Sequence, residues 1–128
     1  MLSRRSALAL AAAATFAVPA AARDTLKFTP EAFKAAQDAD KSILVEITAV
    51  WCPSCKAQAP VLQRLLTSAK FRDYVVFTID FDTEKAAMAR FDARLPSTLV
   101  VYKGADQMGR SLSDTDPRSL EALLEMGL

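Results

Sequence analysis

The chain has 128 residues, 52% of them hydrophobic and 24% charged, which is typical of one folded globular domain. It contains two cysteines and no histidine, which excludes a Ser-His-Asp triad, a Cys-His protease pair and a four-thiolate zinc site within one chain. With sixteen Lys and Arg against fifteen Asp and Glu, the formal charge of +1 provides no basic surface for nucleic acid.

Residues 1–22 have the pattern of a bacterial export signal. Two arginines supply a basic start, residues 7–18 form an uncharged, alanine-rich run, and small residues close the segment at Ala22. We therefore expect cleavage after Ala22, with residues 23–128 as the mature domain. The run is short for a membrane span, which takes about 20 apolar residues, so an uncleaved anchor is the less favoured interpretation. Export to the periplasm would place both cysteines where disulfides persist.

The mature chain alternates predicted strands and helices. A short strand over 25–28 precedes a helix that begins at Pro30, with Thr29 as its N-cap. The remaining predicted elements, in chain order, are strand 43–48, a helix ending near residue 69, strand 74–79, a helix from Thr83 to Phe91, strands 98–102 and 107–111, and a helix opened by Asp116 and Pro117. This order, βαβαβαββα, predicts an α/β fold with a central mixed β-sheet and helices on both faces.

One motif can carry chemistry: Trp51-Cys52-Pro53-Ser54-Cys55-Lys56, between a buried strand and a helix. If Cys52 is the N-cap, its sulfur faces unpaired N–H groups at the positive end of the helix dipole. A thiolate is stabilised there, so we expect the pKa of Cys52 to lie below the value of about 8.5 of a free cysteine. Pro53 suits the first helical position, where its missing N–H would have no partner. Cys55, one turn later, is expected to be the less exposed thiol and to resolve a mixed disulfide formed at Cys52.

Three other interpretations of the cysteine pair stay open. A structural disulfide that closes so short a loop would restrict the unfolded chain little. A metal site would need two more ligands, which this chain could supply only as carboxylates or from a second copy. A redox-inactive relative would use the fold only to bind partners. The placement between strand and helix in an exported chain favours the redox-active pair.

The sequence around this motif resembles the thioredoxin family, and the resemblance covers residues 26–128. Residues 43–52 are similar to the family's second strand running into its active site. Glu46 stands six residues before Cys52, in the place of the family's buried acid. Pro60 matches the proline that kinks the active-site helix. The resemblance therefore implies the thioredoxin fold.

Further along, Leu95-Pro96-Ser97-Thr98 is similar to the family segment that carries a cis-proline, and Gly109 matches a glycine near the substrate groove. A cis Leu95–Pro96 bond would leave the Leu95 backbone free to pair with an extended substrate. Burial favours the neutral form of a carboxyl group, so Glu46 is expected to take the proton of Cys55. The residues implied in substrate binding are Trp51, Pro53, Ser54, Leu95, Pro96 and Gly109, with Trp51 as an exposed rim residue.

Two departures from the family bear on the direction of electron flow. Pro53-Ser54 replaces the Gly-Pro usual in thioredoxins, and the strong periplasmic oxidants usually have a histidine between their cysteines, which this chain lacks. Thr78 stands where thioredoxins have a lysine near the buried acid. The missing histidine and the absence of a large helical insertion favour a reductase over an oxidase.

The sequence thus predicts an exported, monomeric thiol:disulfide oxidoreductase that acts on protein disulfides in the bacterial envelope. Cys52 and Cys55 form its redox-active disulfide, and it uses no cofactor, metal or nucleic acid. A reductase outside the cytosol needs a membrane-bound electron donor. The alternative is a non-enzymatic module, either a thioredoxin-fold chaperone or a copper carrier that uses the cysteine pair.

Overall fold

The computed structural model describes residues 24–128, and its helices and strands follow the predicted order. In chain order they are β1 (Thr25–Lys27), α1 (Pro30–Asp38), β2 (Ser42–Thr48), α2 (Pro53–Leu66), β3 (Val75–Asp80), α3 (Lys85–Arg90), β4 (Thr98–Lys103), β5 (Asp106–Leu112) and α4 (Pro117–Glu125). The predicted signal peptide, residues 1–22, lies outside the described residues. Among the described helices, none is long and apolar enough to span a bilayer.

The strands form one mixed sheet in the order β1-β3-β2-β4-β5. Strands β1, β3 and β2 are parallel, whereas β4 runs antiparallel to both β2 and β5. Ile47 pairs with Thr98, which in turn pairs with Leu112, so the ends of β2 and β5 and the start of β4 lie together. We call this edge of the sheet the cysteine end, because β2 leads from it into the cysteine motif.

Helices cover both faces of the sheet, as predicted. Alternate residues of β2 point to opposite faces, so Val45 packs with α1 and α3, and Leu44 packs with α2 and α4. The first face contains a group of aromatic rings in edge-on or tilted contact, made by Phe28, Phe33 and Phe77. Strand β2 is therefore buried on both sides, which explains its nearly continuous apolar sequence.

Side-chain caps fix the starts of two helices where the sequence predicts them. The Thr29 hydroxyl accepts the N–H of Ala32 at 3.1 Å, and the Asp116 carboxylate accepts the N–H of Ser119 at 2.9 Å. The predicted cap of α3 by Thr83 is wrong, since that helix begins at Lys85 and has no side-chain cap.

The carboxylate of Asp80 takes the role expected of Thr83. It accepts the N–H groups of Asp82 and Thr83, at 2.8 and 3.1 Å, and so fixes the turn that follows β3. Helix α3 starts at Lys85, later than its sequence pattern suggests.

The opposite end of the sheet is closed by the C-terminal residues. The Tyr74 hydroxyl donates to the Leu124 carbonyl at 2.5 Å, and the Ser42 hydroxyl donates to the Gly127 carbonyl at 2.5 Å. Burial raises the pKa of Tyr74, because the phenolate would be desolvated there. A β-carbon at Gly127 would lie 2.2 Å from the Tyr74 hydroxyl, so only glycine allows this close approach.

Candidate active site

The cysteine motif adopts the predicted arrangement at the start of α2. Cys52 is the N-cap in extended conformation, Pro53 is the first helical residue, and the Cys52 sulfur accepts the N–H of Cys55 at 3.2 Å. The two cysteines are joined in a disulfide, with their Cα atoms 5.3 Å apart. The first turn of α2 contains no acidic residue. A negative charge on the Cys52 sulfur is therefore stabilised by a backbone donor and the helix dipole.

The relative exposure of the two cysteines is the reverse of the prediction. Cys52 exposes 3% of its surface, whereas Cys55 is partly exposed. The cause is the capping geometry, because the Cys52 side chain turns inward onto the helix N-terminus. Cys55 lies in the first turn of α2, just after the chain leaves the sheet, and its side chain stays partly exposed. Exposure therefore does not mark Cys52 as the attacking thiol, but its N-cap position does.

Ser54 was predicted to contact substrate, and in the structure its side chain lies against the Cys52 sulfur. Its hydroxyl is 3.4 Å from the Cys52 sulfur, within hydrogen-bond range for a sulfur acceptor. The serine that replaces a family proline therefore adds a second donor to the N-terminal donors of α2. Pro53 is exposed beside it.

Trp51 is an exposed rim residue, as predicted, and neighbouring side chains fix its orientation. It is 55% exposed, and its ring packs edge-on against Phe81 with centroids 5.8 Å apart. The indole N–H donates to both carboxylate oxygens of Asp82, at 3.0 and 3.3 Å. The Lys85 ammonium lies 4.0 Å from the centroid of the Phe81 ring. Sequence reasoning missed Asp82, because it lies in the turn between β3 and α3, 31 residues after Trp51.

Glu46 is buried, which excludes the interpretation that its side chain escapes to solvent. It exposes 3% of its surface, and it pairs with Thr78 on β3 and Leu99 on β4. Glu46 is two residues from Leu44, so the two side chains share the face of the sheet covered by α2. The carboxyl group thus lies on the side of the sheet that carries the cysteines. Its role in proton transfer stays a prediction.

The turn at Pro96 differs from the predicted geometry. No peptide bond within residues 24–128 is cis, so Leu95–Pro96 is trans. The chain instead turns at Ser97, which has a left-handed φ of 61° and donates its N–H to the Ile47 carbonyl at 2.7 Å. The Leu95 carbonyl accepts the Thr98 hydroxyl at 2.7 Å, and the pairing of the Leu95 backbone with a substrate stays a prediction. The turn still lies at the cysteine end, where β4 begins.

Gly109 does not belong to the site, and its predicted role in substrate binding is wrong. It pairs with Val101 in the middle of the β4–β5 hairpin, away from the cysteine end. A β-carbon there would lie 2.8 Å from the sulfur of Met126 and 2.9 Å from a methyl group of Leu123. Side chains of α4 therefore pack close to this glycine.

Four exposed apolar side chains surround the cysteine end, and we call them the apolar rim. They are Val50 (82% exposed), Trp51 (55%), Leu95 (53%) and Leu112 (53%). A cleft of about 210 Å³ opens between Leu95 and Leu112. The sequence identified two of the four, and missed Leu112 because β5 was predicted to end one residue before it. Apolar groups exposed together in this way mark a surface that binds another molecule.

The part of the chain that the structure describes contains no candidate metal centre. Within residues 24–128, no group of three or more Cys, Asp and Glu side chains is arranged to hold a metal ion.

The chain is similar to known proteins in both sequence and structure. Residues 24–126 match the family model described as Thioredoxin. The chain belongs to the thioredoxin family. The crystal structure of Trxlp from Edwardsiella tarda EIB202 superposes with a TM-score of 0.76 at 36% identity, covering 79% of this chain and 98% of that one.

Curated thioredoxins give the same assignment. Thioredoxin H-type from Brassica campestris is 35% identical over 77 residues, 60% of this chain and 61% of that protein. Thioredoxin H5 from Arabidopsis thaliana is 31% identical over 103 residues, 80% of this chain and 86% of that protein. This chain therefore spans about three fifths of the Brassica thioredoxin.

Proposed function

We propose that this thioredoxin-family protein is a thiol:disulfide oxidoreductase that acts on protein disulfides. The observation that carries the proposal is the Cys52–Cys55 disulfide at the N-terminus of α2, with the Cys52 sulfur accepting the N–H of Cys55. This geometry stabilises a thiolate at Cys52 when the pair is reduced. A disulfide kept only for stability would need none of these donors.

The reaction proceeds in two exchange steps. In the reduced protein, the Cys52 thiolate attacks one sulfur of a client disulfide, forms a mixed disulfide and releases the other client sulfur as a thiolate. Cys55 then loses its proton and attacks the Cys52 sulfur, which forms the Cys52–Cys55 disulfide and releases the second client thiolate. Two electrons pass from the protein to the client. A dithiol donor must then reduce the protein again.

Neighbouring groups serve these two steps differently. The Ser54 hydroxyl, 3.4 Å from the Cys52 sulfur, donates to the thiolate that attacks first. Glu46 lies on the face of β2 beneath α2 and accepts the proton that Cys55 loses in the second step, through a water molecule. Each group acts on one cysteine, which keeps the attacking and resolving roles separate.

The apolar rim supports a protein client rather than a small thiol. A folded protein exposes few apolar side chains together, so a segment that carries a disulfide and some apolar residues would bury area on both partners. The same rim would also suit a chaperone that binds unfolded chains without chemistry. Thiol exchange distinguishes the two, because a chaperone needs neither cysteine.

We place the reaction in the bacterial envelope, with reduction as the favoured direction. The basic start and alanine-rich run of residues 1–22 support export, and an exported reductase requires a membrane-bound electron donor. The Pro53-Ser54 dipeptide, without histidine, supports the reducing direction. A reduction potential near about −270 mV would agree with a reductase, whereas one near about −120 mV would identify an oxidant.

Insulin reduction with dithiothreitol as electron donor tests the enzyme. We expect the wild type to accelerate the reaction and Cys52→Ala to have no effect beyond dithiothreitol alone. A wild type no faster than dithiothreitol contradicts the proposal. Tight binding of copper by such an inactive protein would favour the metal carrier, and suppression of aggregation would favour the chaperone.

Trapping with single-cysteine variants tests the roles of the two cysteines. Cys55→Ser should accumulate mixed disulfides on Cys52, because the resolving thiol is missing. Cys52→Ser is the matched control and should accumulate none. Because Cys55 is the more exposed residue, the opposite result would assign the attack to Cys55 and overturn the order of steps given above.

A further inference from the structure

Gln58 occupies a position on α2 where an apolar residue would be expected. It is 3% exposed, and the other buried positions of this helix are leucines. The nearest of them, Leu62, follows at the four-residue spacing of a helix face that packs on the core. A buried carboxamide lowers stability unless it is hydrogen-bonded, so an apolar side chain would fill this position without that cost. The hydrogen-bond partner of the Gln58 side chain therefore indicates what this residue contributes to the structure.

The Gln58 carboxamide holds the loop between β5 and α4. Its Nε2 donates to the Asp114 carbonyl at 2.7 Å, although the two residues are 56 positions apart. The loop has a defined conformation at this point, because the Asp114 carboxylate accepts the N–H of Asp116 at 3.0 Å and the hydroxyl of Ser119. Hydrogen bonds within the loop thus order it, and Gln58 joins this ordered loop to α2.

The same loop is attached to the turn at Pro96. The N–H of Ser113 donates to the Ser97 carbonyl at 2.9 Å, and the N–H of Ser97 donates to the Ile47 carbonyl at 2.7 Å. A continuous series of hydrogen bonds therefore leads from α2 through the loop and the turn to the end of β2. These four segments enclose the cysteine end. Gln58 supplies the side-chain link from α2.

The position of this link relates it to the apolar rim. Gln58 follows Cys55 by three residues, so both lie on one side of α2, one turn apart. Leu112 immediately precedes the loop that Gln58 holds, and Leu95 precedes the turn to which the loop is bonded. The Gln58 contact therefore connects α2 to the segments that carry these two leucines.

We propose that Gln58 is a positioning residue for client binding, which sets the spacing between the redox-active helix and the Leu95 and Leu112 side of the apolar rim. The inference rests on the proposed function. Gln58 itself contacts no client and takes no part in thiol exchange. Its loss lets the loop move away from α2, which weakens the binding of protein clients but leaves the reactivity of the disulfide unchanged.

The substitution Gln58→Met tests this inference, with Gln63→Met as the matched control. Methionine has nearly the length and volume of glutamine but cannot donate to the Asp114 carbonyl. Gln63 lies on the same helix and is only partly buried, so its substitution tests methionine in α2 without the loop contact. Thermal unfolding of both variants establishes that they are folded.

Hydrogen exchange of the oxidised protein measures the link directly. The amide of Ser113, which is bonded to Ser97, should exchange about two to tenfold faster in Gln58→Met, the range given by loss of one neutral hydrogen bond. Amides of β2 should exchange as in the wild type. Unchanged exchange at residues 113–116 would overturn the inference, whatever the activity of the protein.

Kinetics with two substrates separates positioning from a general structural role. For Gln58→Met we expect KM for insulin to rise about two to tenfold, and the rate with hydroxyethyl disulfide to stay within about twofold of wild type. Equal losses with both substrates, or an unchanged KM for insulin, would overturn the inference. A wild type inactive with both disulfides would instead overturn the proposed function and with it the client role, while hydrogen exchange would still report on the link.

Discussion

Replacing Trp51 by alanine should weaken the binding of protein clients. Trp51 is the largest of the four rim side chains and exposes 55% of its surface. Taking about 240 Å² for a whole tryptophan, the exposed part is on the order of 130 Å². If a client covers half of it, the lost burial is worth about 1.6 kcal/mol at 25 cal/mol per Å². That corresponds to a rise in KM of about fifteenfold.

Insulin reduction and reduction of hydroxyethyl disulfide, measured side by side, provide the assay. Trp51→Ala should raise KM for insulin by roughly this factor and leave the rate with the small disulfide within about twofold, because that substrate is too small to cover the rim. Trp51→Phe is the control. It keeps a ring against Phe81 but loses the hydrogen bonds to Asp82, so KM should rise by less than about threefold.

Two results would refute this reasoning. An unchanged KM in Trp51→Ala would show that clients do not contact the rim. An equal fall in rate with both disulfides would show that Trp51 acts on the reactivity of Cys52 instead. A third explanation for a loss of activity is partial unfolding, because the buried part of the ring packs on Phe81 and its removal lowers stability. Thermal unfolding of Trp51→Ala excludes it.

Three further predictions concern the buried polar groups and the glycine at the far end of the sheet. Because burial raises the pKa of Tyr74, the stability that its neutral hydroxyl contributes is complete below about pH 10 and falls as the pH rises above that value. In Tyr74→Phe, the denaturant midpoint should therefore change less with pH between about pH 9 and 11 than in the wild type. An unchanged slope would contradict the assignment. Gly127→Ala should lower stability by about 1–3 kcal/mol, measured by urea unfolding, because its β-carbon meets the Tyr74 hydroxyl; a loss under about 0.5 kcal/mol would show that the C-terminus moves aside freely. Glu46→Gln should slow the release of client from the mixed disulfide, followed by rapid acid quench, but not its formation; equal slowing of both steps would exclude a role specific to Cys55.

The sequence predicted those features that depend on neighbouring residues. Cys52, Pro53 and Cys55 are the N-cap, first and third residues of one helix, and an N-cap is recognised from its own residue and the three that follow. The helix starts at Thr29 and Asp116 follow the same rule and are correct. Glu46 is buried as expected because it stands in an apolar strand, and a run of that composition fits only a central strand.

Features that depend on contacts between distant segments could not be predicted in this way. The turn at Pro96 is made by Ser97, whose left-handed conformation is accompanied by a hydrogen bond to Ile47 on another strand. The same holds for Gly109, which resembles a groove residue in sequence but lies in the middle of the β4–β5 hairpin, close to side chains of α4. Gln58 offered a sequence signal, a polar residue in the apolar stripe of α2, but its partner lies 56 residues away.

The burial of Cys52 and the exposure of the rim are two consequences of one geometry. The cap that stabilises a thiolate requires the Cys52 sulfur to point at the helix N-terminus, and a sulfur so placed exposes little surface, here 3% of the residue. A client disulfide must therefore be brought to Cys52, because that thiol does not project towards solvent. In the proposed function, the exposed side chains around it, led by Trp51 and Leu95, supply the contacts that hold the client there. Stabilising the nucleophile and binding the client are then separate requirements, the first assigned to α2 and the second to the loops at the cysteine end.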